Sequence, residues 1–286
     1  MPGTSQIKQD LEGNKALLLI TESLGEVAAI KFKSIHKQIE QNSAFFDEIA
    51  KVYQAVRLVA SKQRAKTKKS EDPAVVARGE KTVSVLLTSN FQFYGGLDNQ
   101  LIKYFIINTS KYETDKIVVG STGADYFKSV HYPFKYQPMI FHKDLLKPLE
   151  LQQLVSLITC YKKILIYYSK YVTVLNQQAA FEELRSTEVA VPANIALIDY
   201  ILEPELDKML IFFETQILAS RLDSLFLQAQ LSRITARMVG MDQAELNAEN
   251  LISREKVELL KQNRNVQSQR MLETYTDVKL MEARDE

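Results

Sequence analysis

The chain has 286 residues, room for one or two domains, and its 36 Lys and Arg nearly cancel its 35 Asp and Glu. That balance leaves no global basic field to gather phosphate backbones or anionic lipid, which argues against nucleic acid as a partner. A single cysteine, Cys160, excludes an internal disulfide. The chain has no run of about 20 apolar residues and MPGTSQIKQDLEGNKALL has no apolar h-region, which predicts an intracellular protein that does not itself span a membrane.

From Ser5 to about Lys62 no proline interrupts the chain, and apolar residues recur at helical spacing: Leu17, Ile20, Leu24, Val27, Ala28, Phe32, Ile35 and Ile39, then Phe46, Ile49, Val52, Val56 and Val59. This predicts one long helix, with Gly25 as the place where it would be interrupted. SKQRAKTKKSEDP, with Lys62, Arg64, Lys66, Lys68 and Lys69 before Pro73, reads as a solvated helix end and exposed linker.

The period then changes. TVSVLLTS (82–89) is a short β-branched run, and GGLDNQLIKYFIINTSKY places Leu97, Leu101, Ile102, Phe105 and Ile106 on one helical face. DKIVVG (115–120) reads as a strand, STGADYFKSV as a helix and Tyr136 to Phe141 as a strand. A helix from about Asp144 to Tyr161 and strands in KKILIYYSK and KYVTVLNQQAAF complete the middle of the chain. The apolar setting of Cys160, LVSLITCYKKILIYY, predicts a buried structural thiol. Alternation of this kind predicts a compact, Rossmann-like α/β domain over 78–203 with a mainly parallel sheet.

After Pro204 the helical period returns through Leu206, Leu210, Phe213, Ile217, Leu218, Leu222, Leu225, Ala229, Ile234, Met238, Met241, Ala244, Ala248 and Leu251. Unbroken, this stretch would extend about 120 Å at 1.5 Å per residue, so its apolar stripe needs another helix beside it. The fold class is therefore α/β, a long antiparallel coiled coil of the terminal helices (1–70 and 204–286) with an α/β domain inserted between them. Beyond about Leu260 the helix turns polar and sparse in apolar anchors, an end that is either frayed or held by other chains.

Motifs for chemistry are weak. Gly95-Gly96 follows a strand and precedes a helix, but TSNFQFYGGLDN matches neither G-x-G-x-x-G nor G-x-x-x-x-G-K-[ST], and a tight turn with close backbone packing is the better account. His36, His131 and His142 have no metal-ligand spacing, and nothing pairs a nucleophile with a base. No catalytic residue, metal or cofactor is predicted. The residues alone make no credible enzyme, and a coiled-coil scaffold or tether with an α/β partner-binding domain stays open.

Three stretches carry a family resemblance over nearly the whole chain. ITESLGEVAAIK (20–31) resembles I-T-x-x-M-x-x-V-A-A-x-K, and VLLTSNFQFYGGLDNQL (85–101) resembles a strand and turn written L-I-T-S-D-R-G-L-C-G-G-x-N. YILEP (200–204) followed by SRITARMVGMDQAELNAENLI (232–252) resembles Y-E-P and then S-E-x-x-A-R-M-x-A-M-x-x-A-x-x-N-A-x-x-L-I, with Ala236, Arg237, Met238, Met241, Ala244, Asn247, Ala248, Leu251 and Ile252 in register. In this the chain is similar to the gamma subunit of F-type rotary ATP synthases. The resemblance implies a rotating central shaft inside a ring of alpha and beta subunits, with the α/β domain against a small stalk subunit (epsilon) and a membrane c-ring. It implies no nucleic acid and no cofactor, a coupling ion that is a proton or sodium, and a peripheral position on the cytoplasmic face of the plasma membrane or on an organellar inner membrane.

Within that resemblance, Arg237, Asn263 and Gln267 are the candidates for polar contact with the ring, and Leu24, Met238 and Met241 for the seam near it. The chain also departs from the pattern. Phe91, Gln92, Phe93 and Tyr94 replace R-G-L-C, Asp98 replaces Asn, Leu24 replaces Met, and NRNVQ (263–267) has Val266 where the family's N-x-x-R-Q has Arg.

Overall fold

The structure, a computed structural model, describes residues 4–67, 79–91, 94–111, 113–141, 147–184 and 205–285. In chain order the elements are α1 (Thr4–Thr67), β1 (Gly79–Leu87), α2 (Leu97–Thr109), β2 (Asp115–Val119), α3 (Ser121–Ser129), β3 (Gln137–Met139), α4 (Pro148–Ile158), β4 (Tyr161–Tyr171), β5 (Gln177–Leu184) and α5 (Leu206–Asp285). They form two compact units, Ala29–Arg237 and the pair Met1–Ala28 with Met238–Glu286.

In the unit Ala29–Arg237 the sheet runs β3-β2-β1-β4-β5, parallel except for the β4–β5 pair. Side chains alternate across it with the period of two that a pleated strand imposes. Val83, Val85, Leu87, Ile117, Val119, Ile164 and Ile166 face α4 and the stretch of α5 that carries Leu218, Leu222, Leu225 and Ala229. Leu86, Val118 and Tyr167 face α2 and α3, through Leu101, Phe105 and Phe127. The inner strands are covered on both faces, which is why they read as continuous apolar runs. Leu222 and Leu225, 0% and 1% exposed, each contribute roughly 1.5–3 kcal/mol by leaving water, so α5 is part of the sheet's core as well as of the helix pair.

In the same unit α1 and α5 run antiparallel. Asn42 Nδ2 donates to Asp223 Oδ2 at 2.8 Å and Tyr53 Oη bonds Glu214 Oε1 at 3.1 Å. Tyr53, Val56, Ala60, Leu210 and Ile217 form the apolar layer between the helices.

Several expectations change. Helix α1 is continuous through Gly25, because the seam described below supports it there. The strand expected across KYVTVLNQQAAF begins only at Gln177; Val172 to Asn176 form the tip of a hairpin closed by Val172 N–H and Thr173 N–H donating to Asn176 O at 3.2 and 3.0 Å. Cys160 is exposed, not buried, since α4 ends at Ile158 and the turn into β4 carries the thiol off the helix's apolar face. The linker residues Lys68, Lys69 and Pro73, the start of the expected helix near Asp144, His142, and YILEP (200–204) lie outside the described residues. Among the described residues no helix is long and apolar enough to cross a membrane.

Candidate functional site

The unit made of the chain's two ends is a helix pair with a heptad seam on each strand of the pair. On α1 the less exposed positions are Thr4, Ile7, Leu11, Asn14, Leu18, Thr21, Gly25 and Ala28, spaced alternately three and four apart, with Leu24 half-buried beside Gly25. On α5 they are Met238, Met241, Glu245, Ala248, Ile252, Glu255, Leu259, Gln262 and Val266, with the same spacing, and Val239 and Ala244 are half-buried beside them. Asn14 Nδ2 donates to Glu255 Oε1 at 2.7 Å, and a Cβ added to Gly25 would lie 3.8 Å from Met241 Cβ, so the two helices are antiparallel here as well.

This seam corrects the stripe expected for α1. Leu17, Ile20 and Val27 are 46%, 55% and 46% exposed, while Thr21 is buried with its hydroxyl donating to Leu18 O at 2.8 Å. LLLI offers an apolar residue to every face, and the local back-bond lets threonine sit inside at little cost. Large apolar side chains are thereby left outside, joined on α5 by Leu246, Leu251, Val257 and Leu260.

Of the expected seam residues, Met241 is buried and Leu24 and Met238 are half-buried. Asn263 and Gln267 are exposed, each one position past a seam residue, whereas Val266 is half-buried. From Gln267 to Asp277 every residue is exposed, including Met271 at 75%, Leu272 at 67% and Tyr275 at 62%.

Arg237 belongs to the other unit. Its guanidinium sits over the ring of Tyr94, 4.6 Å from the centroid, in the segment that opens α2. That segment turns through Gly95 and Gly96 at φ 61° and 76°, the left-handed region that glycine enters without strain. A Cβ on either would meet nothing within 4 Å, so the turn is borne out but the close packing expected there is not. Close approach occurs instead at Gly120, where a Cβ would come 2.4 Å from Thr88 O. Behind the turn, Ser89 Oγ donates to the buried Asp98 carboxylate, and Thr88 Oγ1 donates to Val119 O at 2.7 Å. These bonds fix the loop between β1 and α2.

Sequence reading missed the partnership of Arg237 with Tyr94 and the burial of Arg233, which is 2% exposed. The available signal was their spacing: Arg233 and Arg237 lie one helical turn apart and share a face of α5.

The sequence model of the family described as ATP synthase matches residues 3–269. The ATP synthase gamma chain of Brevibacillus brevis is 24% identical over 271 residues, covering 88% of this chain and 89% of that protein. The gamma chain of Pasteurella multocida is 26% identical over 280 residues, covering 88% and 90%. Among solved structures, the rotor of the Euglena gracilis mitochondrial ATP synthase aligns with a TM-score of 0.63 at 16% identity, covering 92% of this chain and 98% of that one. The central stalk and c-ring structure of the Tetrahymena thermophila mitochondrial ATP synthase aligns at 0.57 and 17% identity, covering 79% and 99%.

Proposed function

Since this chain belongs to the ATP synthase family, we infer that it is the central-stalk, gamma-type subunit of an F-type ATP synthase. It is noncatalytic, and it couples ion flow through a membrane c-ring to ATP synthesis or hydrolysis in a head of alpha and beta subunits. The helices at 1–70 and 204–286 form the shaft, and the α/β domain over 78–203 meets a small stalk subunit (epsilon) and the c-ring. The coupling ion is a proton or sodium. The complex sits at the cytoplasmic face of the plasma membrane or at an organellar inner membrane.

One observation carries this reading. The C-terminal stretch of α5 is exposed at every described position from Gln267 to Asp277 yet keeps Met271, Leu272 and Tyr275. Apolar side chains left uncovered by their own chain mark a contact surface. A surrounding ring accounts for that exposure, and for Leu17, Ile20 and Val27 on the outer face of α1.

Coupling requires that the shaft bind the states of a catalytic subunit with different free energies; contact alone shifts nothing. A helix pair with unlike faces meets this condition, because each rotation step presents a different face to each subunit. Arg237, Asn263 and Gln267 supply polar grip, and Leu24, Met238 and Met241 set the seam that holds the faces in place.

Cys160 is exposed and is the chain's only cysteine, so a bead attached there reports directly. With the head immobilised and ATP added, the bead should turn continuously in one direction. A bead that diffuses without direction while the same complex hydrolyses ATP would favour a coiled-coil tether instead.

A further inference from the structure

Within the unit Ala29–Arg237, a cavity of about 400 Å³ opens between α1, α5 and the segment after β1. Its volume falls in the range of small-molecule sites, about 300–1,000 Å³. Lys31 of α1 and Arg233 and Arg237 of α5 line it, together with Gln38, Phe91 and Tyr94, and among the described residues no carboxylate lines it. Arg233 is 2% exposed and its Nε has no hydrogen-bond partner among the described residues. A buried N–H without a partner is costly, because it gives up water and receives no compensating bond.

The position in the fold gives a second, independent argument. The chain leaves β1 toward β2 on one side, while β4 lies on the other, so the C-terminal ends of β1 and β4 flank the point where the winding of the sheet reverses. Open α/β sheets place ligands in the crevice outside such a point. Phe91 and Tyr94 belong to the segment leaving β1. At the end of β4, the ring of Tyr171 lies 6.3 Å from that of Phe32, the residue after Lys31.

We propose that this cavity is a binding site for a small phosphomonoester carrying a flat apolar group, its phosphate held by Lys31, Arg233 and Arg237 and its ring against Phe91. Phosphate fits the donor set, because guanidinium groups bond its oxygens in pairs and an ammonium adds a point charge. Tyr94 is 7% exposed and already lies under Arg237, which leaves Phe91, 51% exposed, as the open aromatic face. The sequence has no glycine fingerprint for the job, so side chains take the place of a backbone cradle. A ligand here would tie α1, α5 and the sheet's leading loop together. The site goes beyond the stalk reading and stands or falls separately from it.

The test uses the full chain, with inorganic phosphate and phenyl phosphate as probes and chloride at matched ionic strength as control, read by thermal midpoint and by calorimetry. Phenyl phosphate should raise the midpoint saturably and bind more tightly than inorganic phosphate. Phe91→Ala should remove that preference while leaving inorganic phosphate unaffected. Arg233→Met should abolish binding of both probes and raise the midpoint in phosphate-free buffer, since it deletes a buried donor that has no partner among the described residues. Lys31→Gln, at an exposed position, should weaken binding severalfold with the fold intact. A midpoint that follows ionic strength alone, or probe binding unchanged in both charge variants, would overturn the assignment.

Discussion

The guanidinium carbon of Arg237 lies 4.6 Å from the centroid of the Tyr94 ring, which fastens α5 to the glycine turn that opens α2. A cation over an aromatic face is worth about 0.5–2 kcal/mol, more as water is excluded, and Tyr94 is 7% exposed. Tyr94→Leu keeps most of the buried area and removes the quadrupole. It should cost about 1 kcal/mol, roughly 2–4 °C in midpoint for a unit of this size. Arg237→Gln should cost a similar amount, and the double variant little more than either single one. Additive losses would show that the two residues act apart.

Asn42 gives a second test, in the helix pair of the same unit. Its Nδ2 donates to Asp223 Oδ2 at 2.8 Å and its Oδ1 accepts from Ser220 Oγ at 2.9 Å. Burial pushes the Asp223 carboxyl above its ordinary value. Asn42→Ala takes away that donor and should cost about 1–3 kcal/mol near neutral pH. A raised carboxyl holds its proton more tightly in the folded state, so its contribution is present below the ordinary carboxylate range and lost as pH rises through the raised value. The deficit of Asn42→Ala should therefore shrink as pH falls. A deficit in urea midpoint that stays constant with pH would place the effect elsewhere.

Much of this fold is legible in the sequence, for reasons that particular residues make plain. TVSVLLTS reads as a strand because a parallel strand covered on both faces tolerates only apolar or small residues, and Val83, Val85, Leu86 and Leu87 are all fully buried or nearly so. The long helices read as helices because no proline enters either one and their periods persist. The register of α1 was not legible, since LLLI is apolar on every side and the choice of Leu18 and Thr21 for the inside depends on α5. Cys160 was misread because a window of apolar neighbours does not reveal a turn within it. The contact of Arg237 with Tyr94 joins residues far apart in sequence, and only the packed sheet brings them together.

Alkaline pH probes the β4–β5 edge of the sheet. Tyr168 is 3% exposed, and burial, with the neighbouring Glu182 carboxylate, pushes its hydroxyl up to about 12. The folded state thus holds this proton more tightly than the unfolded chain does. Its contribution is complete below about pH 10, the ordinary tyrosine value, and is lost as pH rises from there toward 12, by on the order of 1.4 kcal/mol per unit at most. Tyr168→Phe should flatten that part of the stability curve relative to the parent. Identical losses in both proteins between these pH values would exclude Tyr168 as their source.

The final prediction separates the grip of the shaft from its integrity. Asn263 and Gln267 are exposed, each beside a half-buried seam residue, Gln262 and Val266. Substitution of both by alanine removes no seam contact and adds good helix formers, so the stability of the helix pair should change by no more than about 0.5 kcal/mol. Val266→Ala, in contrast, trims the seam and should loosen the pair by about 1 kcal/mol. Asn263 and Gln267 are uncharged, so any grip they make relies on neutral bonds of about 0.5–1.5 kcal/mol each. Neutral bonds are screened little by salt. In vesicles carrying the reconstituted complex, the double alanine variant should hydrolyse ATP while moving fewer ions per ATP, with the same deficit at low and high salt. If it pumps as efficiently per ATP as the parent, these two residues carry no grip, and the shaft couples through the shape of its apolar faces, with Met271, Leu272 and Tyr275 the next residues to change.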